Sequence, residues 1–272
     1  PPPPPAPTLA AIKAPFTLSF TDPDFAGRVG PILREHGVVV IHDLFTAAEC
    51  HRHMLRLVQN LVRVFPELAK DWCDTNAPPG PRSGLFQNLA TQLPTVWAVR
   101  LDPRVRRVFE AVYSCLRGRR VRNLATSCDG LNVRPSGPPF DKGKDWAHLD
   151  QTSTAAFPQD PLRCVQGQVV LSDSDACFRC SPKSVRCFEQ ICELTAPNFV
   201  RTSKATGKEL RPGNWNLLKK EQYPQVRQLV EQAGGHWQIP VQEPRGSMIL
   251  WLSATVHSAR LQTQQPVKLP QT

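Results

Sequence analysis

The spacing of apolar positions changes partway along the chain. In the first half they recur at helical intervals; from Val121 onward they come in short runs cut by Gly, Pro, Asn and Asp. Residues 15–20, PFTLSF, predict a short strand. Residues 22–37 predict a helix, with Gly37 placed to end it. Residues 38–45, VVVIHDLF, predict a buried strand. Thr46 and Glu49 stand at capping-box spacing and open a further helix. Met54, Val58, Leu61, Phe65 and Leu68 form its core stripe, and it is expected to end soon after Asp71. A loop is predicted over 76–84 and a helix over 103–116, with Val105, Phe109, Val112 and Leu116 facing inward. Residues 165–173, 236–241 and 247–259 predict strands. Helices early and strands late imply an α+β domain, its helices braced against a β-sandwich or barrel.

Composition changes this picture mainly at the ends. A chain of 272 residues suits one large domain. The opening PPPPPA cannot hold a packed fold, so residues 1–14 read as a proline-rich tail or linker and 15–272 as the domain. Helical support is expected mainly over 24–120 and the strands mainly over 121–260. An insertion at about 195–235, basic and carrying Trp215 and Tyr223, reads either as a substrate loop or as a surface excursion with one small helix. No apolar run of about 18 residues is present, so no membrane span is expected. The N-terminus lacks a basic-then-apolar leader, and the expectation is an intracellular protein of cytoplasm or nucleus, not a secreted one. Nine cysteines fit reduced thiols. Cys177, Cys180, Cys187 and Cys192 read as ordinary buried thiols, with zinc as the other reading, because the second pair lacks a knuckle's short spacing.

The formal net charge is +10, and its excess is uneven. Eight arginines lie between Arg100 and Arg122, against Asp102 and Glu110. Such a cluster suits an anionic partner, nucleic acid or phosphate; the other reading is a solvated helix face and loop.

The candidate chemistry lies in His148-Leu149-Asp150. On a strand, residues i and i+2 share a face, so an imidazole and a carboxylate can reach one ion. His257, at the end of the apolar run 247–259, is the candidate third ligand. Two histidines and a carboxylate on one side of an octahedral ion favour Fe(II), with the opposite positions open to a co-substrate and O2. The competing reading is a surface histidine beside an unrelated aspartate.

Several segments resemble the phytanoyl-CoA dioxygenase-like branch of the Fe(II)/2-oxoglutarate oxygenases. REHGVVVIHDLFTAAEC is similar to that family's opening helix, glycine, strand and acidic helix start. WAHLDQ resembles its metal-binding strand, CVQGQVVLSDSDACFRCSPKSV the next strand and turn, and IPVQEPRGSMILWLSATVHS its last metal-binding region. The resemblance covers roughly residues 28–260 and implies a double-stranded β-helix, a jelly-roll or cupin-like barrel braced by N-terminal helices. It implies Fe(II) held by His148, Asp150 and His257, the same residues being the catalytic set. It further implies 2-oxoglutarate as co-substrate and hydroxylation or oxidation of a C–H bond in a small-molecule or macromolecular substrate that the sequence does not name. Arg260 and Lys268 are the candidates to grip the distal carboxylate, with Gln166 as a further co-substrate contact. Trp146, Trp251 and Leu252 are candidates for a wall that keeps water off the metal. SPKSV at 181–185 departs from the family's turn at that point. Two alternatives accompany this reading: an oxygenase that docks nucleic acid through residues 100–122, and a catalytically inactive binding module that kept the fold.

Overall fold

A computed structural model describes residues 7–66, 85–86, 88–127, 130–133, 146–173 and 178–259. The expected N-terminal tail contains a short helix, α1 (Leu9–Lys13), whose Thr8 side chain accepts from the Ala11 amide. Strand β1 (Thr17–Ser19) follows, then α2 (Phe25–His36), which ends as predicted on Gly37 with φ 71°. That left-handed conformation is cheap only for glycine. Strand β2 (Val38–His42) is buried along most of its length. Helix α3 (Ala47–Val64) opens on the expected capping box, with Thr46 and Glu49 bonding each other's backbone. It ends earlier than Asp71, which lies outside the described residues with Leu68, as does the loop expected over 76–84. Its fully buried residues are Cys50, Leu57 and Leu61; of the predicted stripe, Leu61 is buried and Met54 and Phe65 pack against the same cluster, whereas Val58 is half-buried and Leu57 is buried beside it.

Next come β3 (Leu85–Phe86), α4 (Pro94–Arg100) and α5 (Pro103–Arg117). Asp102 caps α5 by accepting from the Arg104 amide, and Val105, Val108 and Val112 are its buried face. The short strands β4 (Leu131–Asn132) and β5 (His148–Leu149) precede β6 (Val165–Val169) and β7 (Phe178–Cys180). One helix lies in the half expected to be strands, α6 (Phe188–Thr195); beyond β8 (Arg201–Thr202), β9 (Glu209–Leu210) and β10 (Asn216–Leu217), helix α7 (Tyr223–Gln232) is a small helix of the kind that one reading of the insertion expected. The chain closes its described part with β11 (Ile239–Val241), β12 (Met248–Leu252) and β13 (His257–Ala259).

The architecture is mixed α+β, with several sheets and no closed barrel among the described residues. One sheet has the order β1-β2-β12-β6, and a second has the order β10-β5-β13-β7-β11. They meet face to face through Phe16, Val38, Val40 and Ile249 from one side and Phe178, Cys180, Ile239 and Val241 from the other. The opposite face of the first sheet, with Val39, Ile41 and Leu250, packs in one cluster with Val29 and Leu33 of α2 and Val105, Val108 and Val112 of α5. Alternation along β2 and β12 therefore serves two cores at once.

The run 247–259, expected as one strand, is two strands in two sheets. β12 pairs with β2 and β6, whereas β13 pairs with β5 and β7. The corner between them is held by the carbonyl of Gly37, which accepts from the Leu252 amide at 3.0 Å and the Thr255 hydroxyl at 2.8 Å. Among the described residues no helix is long and apolar enough to cross a membrane.

Candidate metal centre

The corner at 253–256 is what brings the predicted residues together. It turns the chain out of the first sheet and places His257 directly across from His148 in the antiparallel pair β5–β13. Asp150 follows β5 and is fixed by its own amide, which donates to the Ser253 carbonyl at 2.9 Å. Ser181 and Ser184, within the departing SPKSV turn, bond the backbone of Val256 on both sides. The turn thus buttresses the strand that carries His257. Both histidines are 5% exposed, so their ligand atoms are shielded from bulk water.

His148, Asp150 and His257 each offer a ligand atom, and these atoms lie within 4.8 Å of one another. His148 Nε2 stands 3.5 Å from Asp150 Oδ1, and His257 Nε2 stands 3.3 Å from Asp150 Oδ2. The other ring nitrogens are occupied: Nδ1 of His148 faces the Trp146 carbonyl at 3.0 Å, and Nδ1 of His257 faces the Thr255 carbonyl at 2.8 Å. A carbonyl oxygen only accepts, so each Nδ1 carries a hydrogen, and each ring turns its Nε2 toward the carboxylate. Two imidazole nitrogens and a carboxylate thus converge, the ligand types that a divalent metal takes. Bonds of about 2.0–2.2 Å to one ion place adjacent ligands about 3 Å apart, close to the spacing seen. The donor set therefore fits a divalent first-row metal.

Electrostatics favour the protonation states that a metal needs. Burial, then the neighbouring His257, hold the His148 imidazole down to about 4, against the opposing pull of Asp150. Burial alone would raise the Asp150 carboxyl, but His257, His148 and the Gln166 amide outweigh it and bring it to about 2. At neutral pH His148 is a neutral donor and Asp150 an anion, as coordination requires.

Gln166 sits beside this group on β6. Its Nε2 donates to Asp150 Oδ2 at 2.8 Å and to the Ser253 hydroxyl at 3.0 Å, so its amide is turned to the carboxylate. Arg260 and Lys268 lie outside the described residues. Of the expected wall, Trp146 stacks on His148 with ring centroids 4.7 Å apart and planes within 10°. Trp251 lies 5.6 Å from the His257 ring. Leu252 does not join them; it points into the other core, because it is one residue from Trp251 on an alternating strand. Trp215, from the insertion, comes to 6.0 Å from His148. It is carried there by β10, which pairs with β5. Phe178, 5.6 Å from His257, was not singled out from the sequence; the alternation Phe178-x-Cys180 is the signal that marks it as inward-facing.

The other candidate clusters fare differently. Burial pushes the Cys187 thiol up to about 11 and the Cys192 thiol up to about 12, the state of inert core thiols. Cys177 lies outside the described residues, and among the described residues no cysteine joins a metal-binding group. Several of the eight arginines have internal partners. Arg104 binds Glu49 and Asp102, Arg106 binds Glu110 and Arg107 covers the Phe20 ring. Arg119, Arg120 and Arg122 are exposed.

No protein-family model matches the chain, and no curated protein matches it. Solved structures do. The chain is similar to GlcNAc Inducible Gene 2, GIG2 (DUF1479), from Candida albicans, with a TM-score of 0.59 and 14% identity over 92% of this chain. It is similar to a candidate oxidoreductase from Salmonella typhimurium LT2, with a TM-score of 0.57 and 14% identity over 92% of this chain. A third likeness is to the hypothetical protein JW0805 from Escherichia coli, with a TM-score of 0.56 and 13% identity over 92% of this chain. The chain spans 64% of the GIG2 protein's length, 70% of the Salmonella protein's and 69% of the Escherichia coli protein's. At these identities the likeness is one of fold, and the fold in which His148, Asp150 and His257 converge is one that other solved proteins share.

Proposed function

We propose that the chain is a non-haem Fe(II)- and 2-oxoglutarate-dependent dioxygenase, similar to the phytanoyl-CoA dioxygenases, that oxidises a C–H bond of its substrate. In this reading residues 15–272 form one oxygenase domain, and the two facing sheets are the walls of a double-stranded β-helix. The observation that carries it is the convergence of two buried imidazoles and one half-buried carboxylate on a single point. His148, Asp150 and His257 would hold the iron on one side and leave the opposite positions for ligands. With 2-oxoglutarate and O2, iron in such a site supplies two-electron oxidation of a C–H bond while the oxo acid loses CO2 to become succinate.

The chain's own residues do the rest. The Trp146 and Thr255 carbonyls fix the tautomer and direction of the two imidazoles. Gln166 and the Ser253 carbonyl hold Asp150 in place. Trp146 and Trp215, 38% and 54% exposed, form an aromatic rim beside His148 where a substrate's apolar part can dock. Likeness in fold to a candidate oxidoreductase agrees with this reading.

The test is metal binding together with co-substrate turnover. Under anaerobic conditions the protein should take up one Fe(II), and on admission of air it should convert 2-oxoglutarate to succinate, slowly even without substrate. His257→Ala and Asp150→Ala should weaken iron binding by more than about 100-fold while the far-ultraviolet dichroism stays unchanged. Iron uptake equal in parent and variants would overturn the proposal.

A further inference from the structure

Trp251 presents an anomaly inside the apolar space between the sheets. On β12 it stands opposite Val38 of β2 and Gln166 of β6, in the row of that sheet that faces the second sheet. Its ring packs on Phe178 at 4.5 Å and lies 5.6 Å from the His257 ring. Its indole Nε1 is buried and has no hydrogen-bond partner among the described residues. Buried donors without acceptors are rare, and each needs a cause. The packing does not provide one, since a phenylalanine would fill an apolar slot without the orphaned N–H.

Resting on the reading of the site as a metal and 2-oxo acid centre, we infer that the Trp251 indole N–H is a co-substrate-binding donor, reserved for an oxygen of the bound 2-oxo acid. The chemistry limits the ligand in three ways. An indole nitrogen only donates, so its partner is an acceptor oxygen. Val38, Phe178 and Ile249 line the same interior, so the ligand's remaining contacts there are with carbon. Trp251 neighbours His257, so the ligand that meets it also reaches the metal group. A short dicarboxylic 2-oxo acid has these three parts: a chelating end, methylenes and carboxylate oxygens. Gln166, beside Trp251 in the same row, already spends its amide donor on Asp150, which leaves the indole as the uncommitted donor of that pair.

The experiment uses the whole chain loaded with Zn(II), which is redox-inert and diamagnetic, and 2-oxoglutarate as the probe. Calorimetry measures binding, and 15N-indole spectra follow the Trp251 signal, assigned by its through-space contact with Phe178. The expected result is a downfield shift of that indole proton on addition of 2-oxoglutarate. Trp251→Phe should bind Zn(II) as the parent does and 2-oxoglutarate about tenfold more weakly. If the parent binds 2-oxoglutarate while the Trp251 signal stays still, the inference is overturned and the metal-site reading survives. Equal affinity in Trp251→Phe overturns it in the same way. If the loaded parent binds no 2-oxoglutarate, the co-substrate reading falls and this inference with it. The spectrum of the parent decides the matter even if the variant fails to fold.

Discussion

Gln166 and Asp150 show how one amide sets the direction of a carboxylate. Removing the amide with Gln166→Leu should leave Asp150 free to rotate and weaken metal binding about 10–100-fold, measured by competition with a chelating dye. Stability should change less than affinity, because leucine fills similar space. Tyr113 is a second residue whose polar tip fixes a neighbour. Its hydroxyl accepts from the Val165 amide at 3.1 Å, at the start of the strand that carries Gln166. Tyr113→Phe should cost about 1–2 kcal/mol in chemical denaturation, since the amide is left without its acceptor. The three converging residues were legible as candidates, because His-x-Asp on a strand and a histidine after an apolar run are patterns of local chemistry. The direction of Gln166 was not. It depends on Ser253 and Asp150, which only the folded chain brings beside it.

Elements differed in how openly they declared themselves. α2 and α3 were readable from their ends, a glycine and a capping box, since both act through neighbours within a few residues. α6 carries no side-chain N-cap, and its eight residues are held by burial of Phe188, Ile191 and Cys192, so nothing local announced it. The break between β12 and β13 was hidden for a related reason. The residues at the corner, Ser253 to Val256, include neither glycine nor proline, and the bend is imposed by the carbonyl of Gly37 from a distant part of the chain. The turn before β12 does have its glycine. Gly246 has φ 90°, and a Cβ there would stand 2.2 Å from the Phe45 carbonyl oxygen. Gly246→Ala should therefore destabilise the protein by about 2 kcal/mol or more, read as a lower denaturation midpoint.

At the scale of the whole molecule, ion pairs tie the helical layer together. Glu49 of α3 meets Arg104 of α5, which also binds Asp102. The Arg104 hydrogen bond, aided by the Thr46 backbone, holds the Glu49 carboxyl well down, to about 2. A carboxyl with a depressed folded pKa stabilises the fold above its ordinary value of 4.5 and loses that contribution as pH falls toward about 2. Thermal stability should decline through this window, and Glu49→Gln should flatten the decline while lowering stability at neutral pH. The shared acceptor at Gly37 reaches further. Its amide closes the last turn of α2 on Leu33, while its carbonyl holds Leu252 and Thr255 ahead of His257. The end of a helix and the entry to the candidate metal centre should thus open as a single cooperative unit. Amide protons of Gly37 and Leu252 should exchange with deuterium at matched rates. Saturating metal should slow both together, so that occupancy of the centre can be followed from a helix that touches none of its ligands.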